Sequence, residues 1–332
     1  MLIGIVGAPN KGKSTLFSAL TMNEVAIADY PFTTINPNKG VAYATRKCVH
    51  EELHVKCSPK NPFCVGGTRM LPINIEDVAG LVEGASEGKG MGNQFMNDLS
   101  SSDCLIIVTD ASGKTDPSGN RAEASDPVLD VKMVQQEIAK WVADRTIPKS
   151  AKPSIIAANK FDAPGADKRV DALKAAFGPD MVIGCSAAVE LALKKAAKNG
   201  IIDYMPGTAG FRILNENISK EQREALDYMQ NFLKAKGTNV QELLNRTAFG
   251  LLDLIAVYPV EDEHKYADHF GNVLPDAILI KRGSTAHQLA EKIHTDIAKG
   301  MLYAIDARTK MRIAKDYILK DNDVIKIVSA AK

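Results

Sequence analysis

Short apolar runs punctuate the first two hundred residues: LIGIV from Leu2, LPINIED from Leu71, DCLIIVTD from Asp103, SIIAANK from Ser154 and MVIGCSA from Met181. Near-continuous runs of this length are what strands buried on both faces look like, because helices cover both sides of a parallel sheet. Helical periodicity fills gaps between them. In DVKMVQQEIAKWVADR the apolar residues Val131, Val134, Ile138 and Trp141 form a one-sided stripe, and DKRVDALKAAFG reads as a second helix. The alternation predicts an α/β fold, a doubly wound, mostly parallel sheet that binds ligands at the carboxyl ends of its strands.

The pattern changes after residue 206. A turn-rich PGTAG leads into two predicted helices, the first opened by a Ser219–Gln222 capping box and the second by Thr238–Gln241. Leu243, Leu244, Phe249, Leu252 and Ile255 read as an apolar stripe packed on the first domain. From Asp276 onward the order becomes strand (AILIKRG), capped helix (STAHQLAEKIHTDIAKG) and then several strands ending in DNDVIKIV. Three segments are therefore expected: an α/β domain over 1–206, a helical connector over 207–275 and a small β-rich domain over 276–332.

Composition narrows the function classes. Of 332 residues, 45% are hydrophobic and 24% charged, as in ordinary globular proteins with ample core. Lys and Arg number 41 against 40 Asp and Glu, so nucleic-acid binding would have to rest on a local patch. No apolar run approaches the roughly 20 residues of a membrane span, and no basic leader precedes the first strand. Five cysteines without a regular framework point to a reducing, cytoplasmic setting.

The chemistry begins at GAPNKGKST, residues 7 to 15, between the first apolar strand and a helix. It matches the GxxxxGKS pattern through Gly7, Gly12, Lys13 and Ser14. In such a loop the backbone of Gly7, Ala8, Pro9, Asn10, Lys11, Gly12 and Thr15 wraps phosphates, Lys13 reaches the β and γ oxygens, and the Ser14 hydroxyl ligates Mg²⁺ at the helix N-terminus. Asp77, closing the LPINIED strand in DVAG, suits a water-mediated Mg²⁺ contact, and the Gly80 N–H suits the γ-phosphate. Asn159-Lys160-Phe161-Asp162 follows the IIAA strand, and Cys185-Ser186-Ala187 follows the next. A carboxylate at Asp162 accepts from guanine N1 and N2, a donor pair adenine does not offer. Asn159 and Lys160 are expected to brace the base and the phosphate loop, and the Ser186 and Ala187 backbone to donate to guanine O6. The bound nucleotide is thus expected to be GTP or GDP.

With PNKGKST, ADYPFTTINPNKG (28 to 40), DVAGLVEGASEGKGMGNQF (77 to 95) and the C-terminal pattern in view, the chain resembles the Obg-related P-loop GTPases, most closely the YchF-like branch, over nearly its whole length. The resemblance implies that Thr34, rather than Thr33, is the switch threonine that ligates Mg²⁺, and that the C-terminal segment is a TGS domain, a ubiquitin-like β-grasp module. Asn10 corresponds to the asparagine that helps hold K⁺ beside the phosphates in potassium-activated relatives; a turn residue after Pro9 is the alternative. The side chain of Lys11 is expected to be solvated.

Departures from the family pattern shape the expected activity. NKFD is intact, whereas many YchF-type proteins carry a changed base motif and resemble ATP binders. Position 81 is Leu rather than a water-orienting glutamine, and Ile107 stands where relatives often show a histidine. Slow intrinsic hydrolysis is expected, with an ATPase and a nucleotide-gated RNA-binding factor of negligible turnover as alternatives. The glycines at 80, 84, 88, 90 and 92 suit a segment that orders around a γ-phosphate. Only 38 residues, Asn120 to Ala157, fill the gap where relatives carry a long helical insertion. Basic residues from Lys281 to Arg312 could neutralise RNA phosphates, so the ribosome or RNA is the partner expected for the TGS domain; no membrane partner is expected, and the protein is expected to be a monomer.

One cluster stands apart. Cys48, His50, His54, Cys57 and Cys64 are zinc-ligand types, but their spacing lacks the tight CxxC-like pairs of structural zinc sites. The segment is read as a plain hairpin insertion, with a zinc site as the alternative.

Overall fold

The computed structural model describes residues 1–22, 38–59, 64–78, 99–143, 152–215 and 217–330. Thr33, Thr34, Gly80, Leu81 and the glycine-rich segment to Gly92 lie outside the described residues, as does the side chain of Trp141.

All five apolar runs form strands: β1 (Leu2–Val6), β4 (Thr68–Asp77), β5 (Cys104–Asp110), β6 (Ser154–Asn159) and β7 (Val182–Gly184). With β2 (Lys39–Lys47) and the short β3 (Cys64–Val65) they make a seven-stranded sheet of order β2-β4-β1-β5-β6-β7, β3 pairing with β4. Neighbours β4, β1, β5, β6 and β7 all run parallel, and every residue of β5 is buried. The helices Pro127–Ala143 and Ala166–Phe177 occupy the predicted stretches. Val131, Val134 and Ile138 of the first and Val170 and Leu173 of the second join one core with Leu105, Ile107 and Ile156. Ile107 is therefore a core residue, which explains an aliphatic side chain there.

Two compact units result, one comprising 1–42 and 73–247, the other 43–72 and 248–332. The first unit holds the parallel sheet, a two-stranded ribbon of β8 (Ile202–Asp203) and β9 (Arg212–Ile213), and a satellite core in which Val189 and Leu193 of the helix Ala187–Lys198 meet Leu226, Met229, Phe232 and Leu233 of the helix Lys220–Ala235. Ser219 and Gln222 cap that second helix reciprocally, as expected.

Two sequence expectations fail after it. Thr238 does not cap the short helix Val240–Asn245; Asn239 occupies the N-cap at φ 56° without a side-chain cap. The Thr238 hydroxyl instead donates to the buried carboxylate of Glu190, 2.5 Å away, which also accepts from Tyr204 at 2.8 Å. A charge-assisted bond to a buried carboxylate outweighs a cap that solvent could replace. Ile255, read as part of a helical stripe, lies instead in strand β10 (Leu254–Val260), whose run LIAVYPV is buried except at Pro259.

In the second unit β10 joins β11 (Ile278–Lys281), β12 (Met301–Asp306), β13 (Met311–Ile313) and β14 (Val324–Ser329) in the order β11-β10-β14-β12-β13. The helix Ala286–Ile293, opened by a Thr285–Gln288 capping box, buries Ala286, Leu289 and Ala290 with Ile255, Val257, Met301 and Ile325. The short helix Thr295–Lys299 adds Ala298 to the same core, and a mixed sheet packed by these helices fits the predicted β-grasp. Among the described residues no helix is long and apolar enough to cross a membrane.

Leu173 is fully buried in the first unit's core. Leu173→Ala is expected to cost about 2–5 kcal/mol of stability, read as a lowered denaturation midpoint with nucleotide absent.

Candidate functional site

The phosphate loop leaves β1 and enters the helix Lys13–Thr21 through backbone that favours glycine: Gly12 is left-handed at φ 94°, and Asn10 lies at φ 59°. A Cβ at Gly12 would collide with the Asn159 side-chain amide. The helix starts without a side-chain cap, leaving its first N–H groups as donors for an anion. Ser14 is exposed in that first turn.

Asn159 binds the site together. Its Nδ2 donates to the Lys11 carbonyl at 3.0 Å, and its Oδ1 accepts the Ala187 N–H at 3.1 Å. Lys160, turned to φ 62°, sends Nζ to the Asn10 carbonyl at 3.2 Å and to Asp110 at 2.8 Å. The Ser186 hydroxyl donates to Asp162 at 2.5 Å, while the Ser186 N–H donates to the Thr238 carbonyl at 2.9 Å. The structure thus brings Asn10, Lys11, Gly12, Asn159, Lys160, Asp162, Ser186 and Ala187 into one hydrogen-bonded cluster at the ends of β1, β6 and β7.

One expectation is corrected, and the present partners of two further groups are added to another. The Lys11 side chain is not solvated; it is fully buried, 2.6 Å from Asp130 and 2.8 Å from the Thr115 carbonyl. An ion pair of this kind anchors the underside of the loop, so only the backbone of Lys11 remains for a ligand. The Ser186 and Ala187 N–H groups, expected to meet a base carbonyl, donate to Thr238 and Asn159 in this structure. A base oxygen at Ala187 has to share or replace the bond to Asn159.

Asp110 escaped the sequence reading, although a carboxylate closing the buried strand after its apolar run Cys104 to Val108 was its signal. Its Oδ1 accepts from the Ser112 N–H at 2.8 Å and the Ser112 hydroxyl at 2.5 Å, and its Oδ2 from Thr115 at 2.7 Å and Lys160. Burial pushes this carboxyl up, but the bonds from Lys160, Ser112 and Thr115 outweigh it and hold the group below its ordinary range. The loop that follows closes on the phosphate loop: Asn10 Nδ2 donates to the Gly119 carbonyl at 2.9 Å, and a Cβ on Gly119 would lie 2.8 Å from Pro9.

Lys13 and Asp77 interact electrostatically at the other end of the cluster. Burial lowers the Lys13 ammonium, the charge of Asp77 opposing and that of Lys11 reinforcing the shift. Its Nζ rests on the Ala8 carbonyl at 2.9 Å. Asp77 Oδ1 is buried with no hydrogen-bond partner among the described residues. An orphaned carboxylate oxygen facing a lysine beside a helix N-terminus suits Mg²⁺ and triphosphate together.

Because the folded pKa of Asp110 is depressed, its stabilisation is complete above the unfolded carboxyl range, about pH 4, and fades as pH falls through the folded value. Asp110→Asn is expected to lower the melting temperature at neutral pH, with the deficit shrinking below about pH 4.

Comparison with known proteins agrees with this geometry. Residues 2–160 match the family described as 50S ribosome-binding GTPase, residues 157–262 the Obg-like GTPase YGR210-like, G4 motif-containing domain, and residues 270–329 the TGS domain. An uncharacterised GTP-binding protein of Methanocaldococcus jannaschii is 45% identical, the match covering 100% of both chains. That alignment runs over 393 positions against the 332 residues of this chain, so the relative carries segments with no counterpart here. An uncharacterised GTP-binding protein of Schizosaccharomyces pombe is 30% identical over 88% of this chain and 90% of its own. A crystal structure of a GTP-binding protein from Pyrococcus horikoshii superposes with TM-score 0.73 at 34% identity, covering 99% and 100% of the two chains. The S. pombe YchF GTPase shares the fold at TM-score 0.61 and 19% identity, over 99% and 97%. Phosphate loop, guanine-motif cluster, β-grasp sheet and these full-length relatives agree: the chain belongs to the Obg-like GTPases, in their YchF-like branch, with a C-terminal TGS domain.

Proposed function

We propose that the protein is a slow, Mg²⁺-dependent GTPase switch that selects guanine through Asp162 and acts on the ribosome or on RNA. The observation that carries the guanine assignment is the Asn159–Asp162 cluster. Ser186 holds Asp162 in place while Asn159 couples that corner to the phosphate loop. A carboxylate so held accepts from both guanine donors and leaves an adenine amino group without its match.

In this reading Lys13 and the backbone N–H groups of residues 10–15 bind the β- and γ-phosphates, and the position of Lys13 against Ala8 prepares it for that contact. Ser14, Thr34 and Asp77 would hold Mg²⁺, which supplies neutralisation of charge on the β and γ oxygens. Gly80 and Thr34 sense the γ-phosphate and report hydrolysis to the rest of the chain. Asn10 spends its Nδ2 on Gly119, so Oδ1 is the atom suited to K⁺ beside the phosphates. Attack by water is in line, and positioning with electrostatic stabilisation provides most of the acceleration. Leu81 cannot orient water, and slow turnover follows.

The ribosome or RNA assignment rests on the TGS domain, on a cation–aromatic pair within it, Arg312 over Tyr303 at 3.8 Å, and on a second pair between it and the segment just before it, Lys310 over Tyr266 at 4.3 Å, both with exposed cations and half-buried rings. Such platforms accept stacked bases. Much of the remaining basic charge is already paired, Arg282 with Asp253 at 2.8 Å and Arg308 with Glu52 at 2.9 Å. Binding to ribosomes is therefore expected to survive moderate salt better than a contact made by phosphate neutralisation alone.

Titration with fluorescent GTP and ATP analogues in Mg²⁺ is expected to favour GTP by more than about tenfold, with Asp162→Ala erasing the preference; equal or better ATP binding by the native chain would replace this reading with an ATPase. Lys13→Ala is expected to lower single-turnover hydrolysis by about a hundredfold or more. Co-sedimentation with ribosomes in the presence of GTP but not GDP is the expected result for the switch, and turnover that ribosomes leave unchanged argues for a nucleotide-gated binding factor.

A further inference from the structure

The excursion between β2 and β4 contains a set of side chains that the nucleotide site does not use. Cys48, His50, Cys57 and Cys64 each offer one donor atom, and the four donors lie within 4.8 Å of one another. His50 Nδ1 is 3.2 Å from Cys57 Sγ and 3.6 Å from Cys64 Sγ. A tetrahedron with Zn–S of about 2.3 Å and Zn–N of about 2.0 Å has S···N edges of about 3.5 Å, so both separations fall close to coordination distances. All three sulfurs are free thiols. We propose that Cys48, His50, Cys57 and Cys64 form a closed Cys₃His site that binds a structural zinc ion.

Three further observations support the assignment. First, the excursion has almost no core of its own: among its described residues from Cys48 to Val65 only Cys48 and Val49 are buried. A metal replaces the missing apolar core in segments of this size. Second, the backbone brings the ligands together independently of them. Cys48 donates its N–H to the Gly67 carbonyl at 2.8 Å across the β3–β4 turn, where Gly66 and Gly67 lie at φ 53° and 82°. The Val55 N–H closes a turn on the His50 carbonyl at 3.1 Å. His54, the fifth candidate, is exposed at φ 54° and stays out of the cluster.

Third, Arg69 is buried to 1% exposure and pairs with Cys64 across the β3–β4 ladder. Its Nη2 donates to the Leu274 carbonyl at 3.0 Å, while Nε and Nη1 have no hydrogen-bond partner among the described residues. The guanidinium lies 5.5 Å from the centroid of the Tyr258 ring, but it has no carboxylate partner among the described residues, and a buried charge without a counter-ion is costly. Binding of Zn²⁺ by three thiols and a neutral imidazole releases three protons to solvent and leaves a site of net charge −1, which compensates Arg69. The same knuckle is tied to the segment before β11, the Ser58 N–H donating to the Val273 carbonyl at 2.9 Å and the Val273 N–H to the Ser58 hydroxyl at 2.8 Å. Four protein ligands leave no open position, so the ion is a staple for this unit rather than a reaction centre.

The test uses the full chain purified under reducing conditions. Elemental analysis is expected to find about one zinc ion per chain, and replacement by Co²⁺ to give the thiolate-to-cobalt absorption and d–d bands of a tetrahedral sulfur-rich site. Cys57→Ser with Cys64→Ser is expected to abolish both signals, while His54→Ala keeps them. A reduced native chain that carries no zinc and gives no thiolate–cobalt absorption on titration overturns the proposal, as does full zinc retention by the double variant. If the double variant does not fold, the cobalt titration of the native chain and the His54→Ala comparison decide alone. Fluorescent GTP binding provides a separate readout, since the nucleotide cluster draws its residues from the other compact unit.

Discussion

The side-chain amide of Asn159 is the constraint on which the nucleotide site depends. One planar group donates to the phosphate loop at Lys11 and accepts from the loop at Ala187, fixing the distance between the two loops. Its position explains the glycine at 12, because a side chain there would enter the space of the amide. The turn that follows it places Lys160 in a left-handed conformation, from which Nζ reaches both Asn10 and Asp110. Loss of the amide would leave two buried backbone groups unpaired as well as uncoupling the loops.

Buried charge organises the surroundings. Lys11 with Asp130, and Glu190 with Tyr204 and Thr238, place ionic groups inside the first unit at the undersides of the phosphate loop and the base loop. Such pairs add little net stability compared with apolar packing, but breaking one leaves a charge stranded in the interior. Each pair therefore acts as a positioning device: Lys11 turned inward leaves its backbone on the ligand side, and Thr238 held by Glu190 presents its carbonyl to Ser186. Arg69 poses the same physical problem in the second unit, and an anionic metal centre is a solution suited to it.

Nucleotide chemistry and folding share few residues. The parallel sheet and its helices bury aliphatic side chains, Ile107 among them, and leave strand ends to carry Asp77, Asp110 and Asn159. Lys13 is held partly desolvated, a state that a bound polyphosphate relieves by supplying opposite charge.

What the sequence determined by itself was what is encoded locally. Strands β1, β4, β5, β6 and β7, the helices between them, the phosphate loop and the Ser219 cap were all legible, because periodicity, glycine placement and capping chemistry act over a few residues. The guanine motifs were legible as residue types at strand ends. Tertiary structure alone decided which partner each polar group takes. Lys11 finds Asp130, Thr238 finds Glu190 rather than Gln241, and Asp110 gathers Lys160 from 50 residues away. Ile255 becomes a strand residue because it pairs with Ile280 of β11 in a strand that β14 extends further along, not because its own neighbours forbid a helix. The cysteines and histidine, too irregular along the chain to signal a metal, converge only because the turns from Cys48 to Gly67 fold them together. Competition among partners far apart in sequence is settled by burial and geometry, and neither is written in the order of the residues.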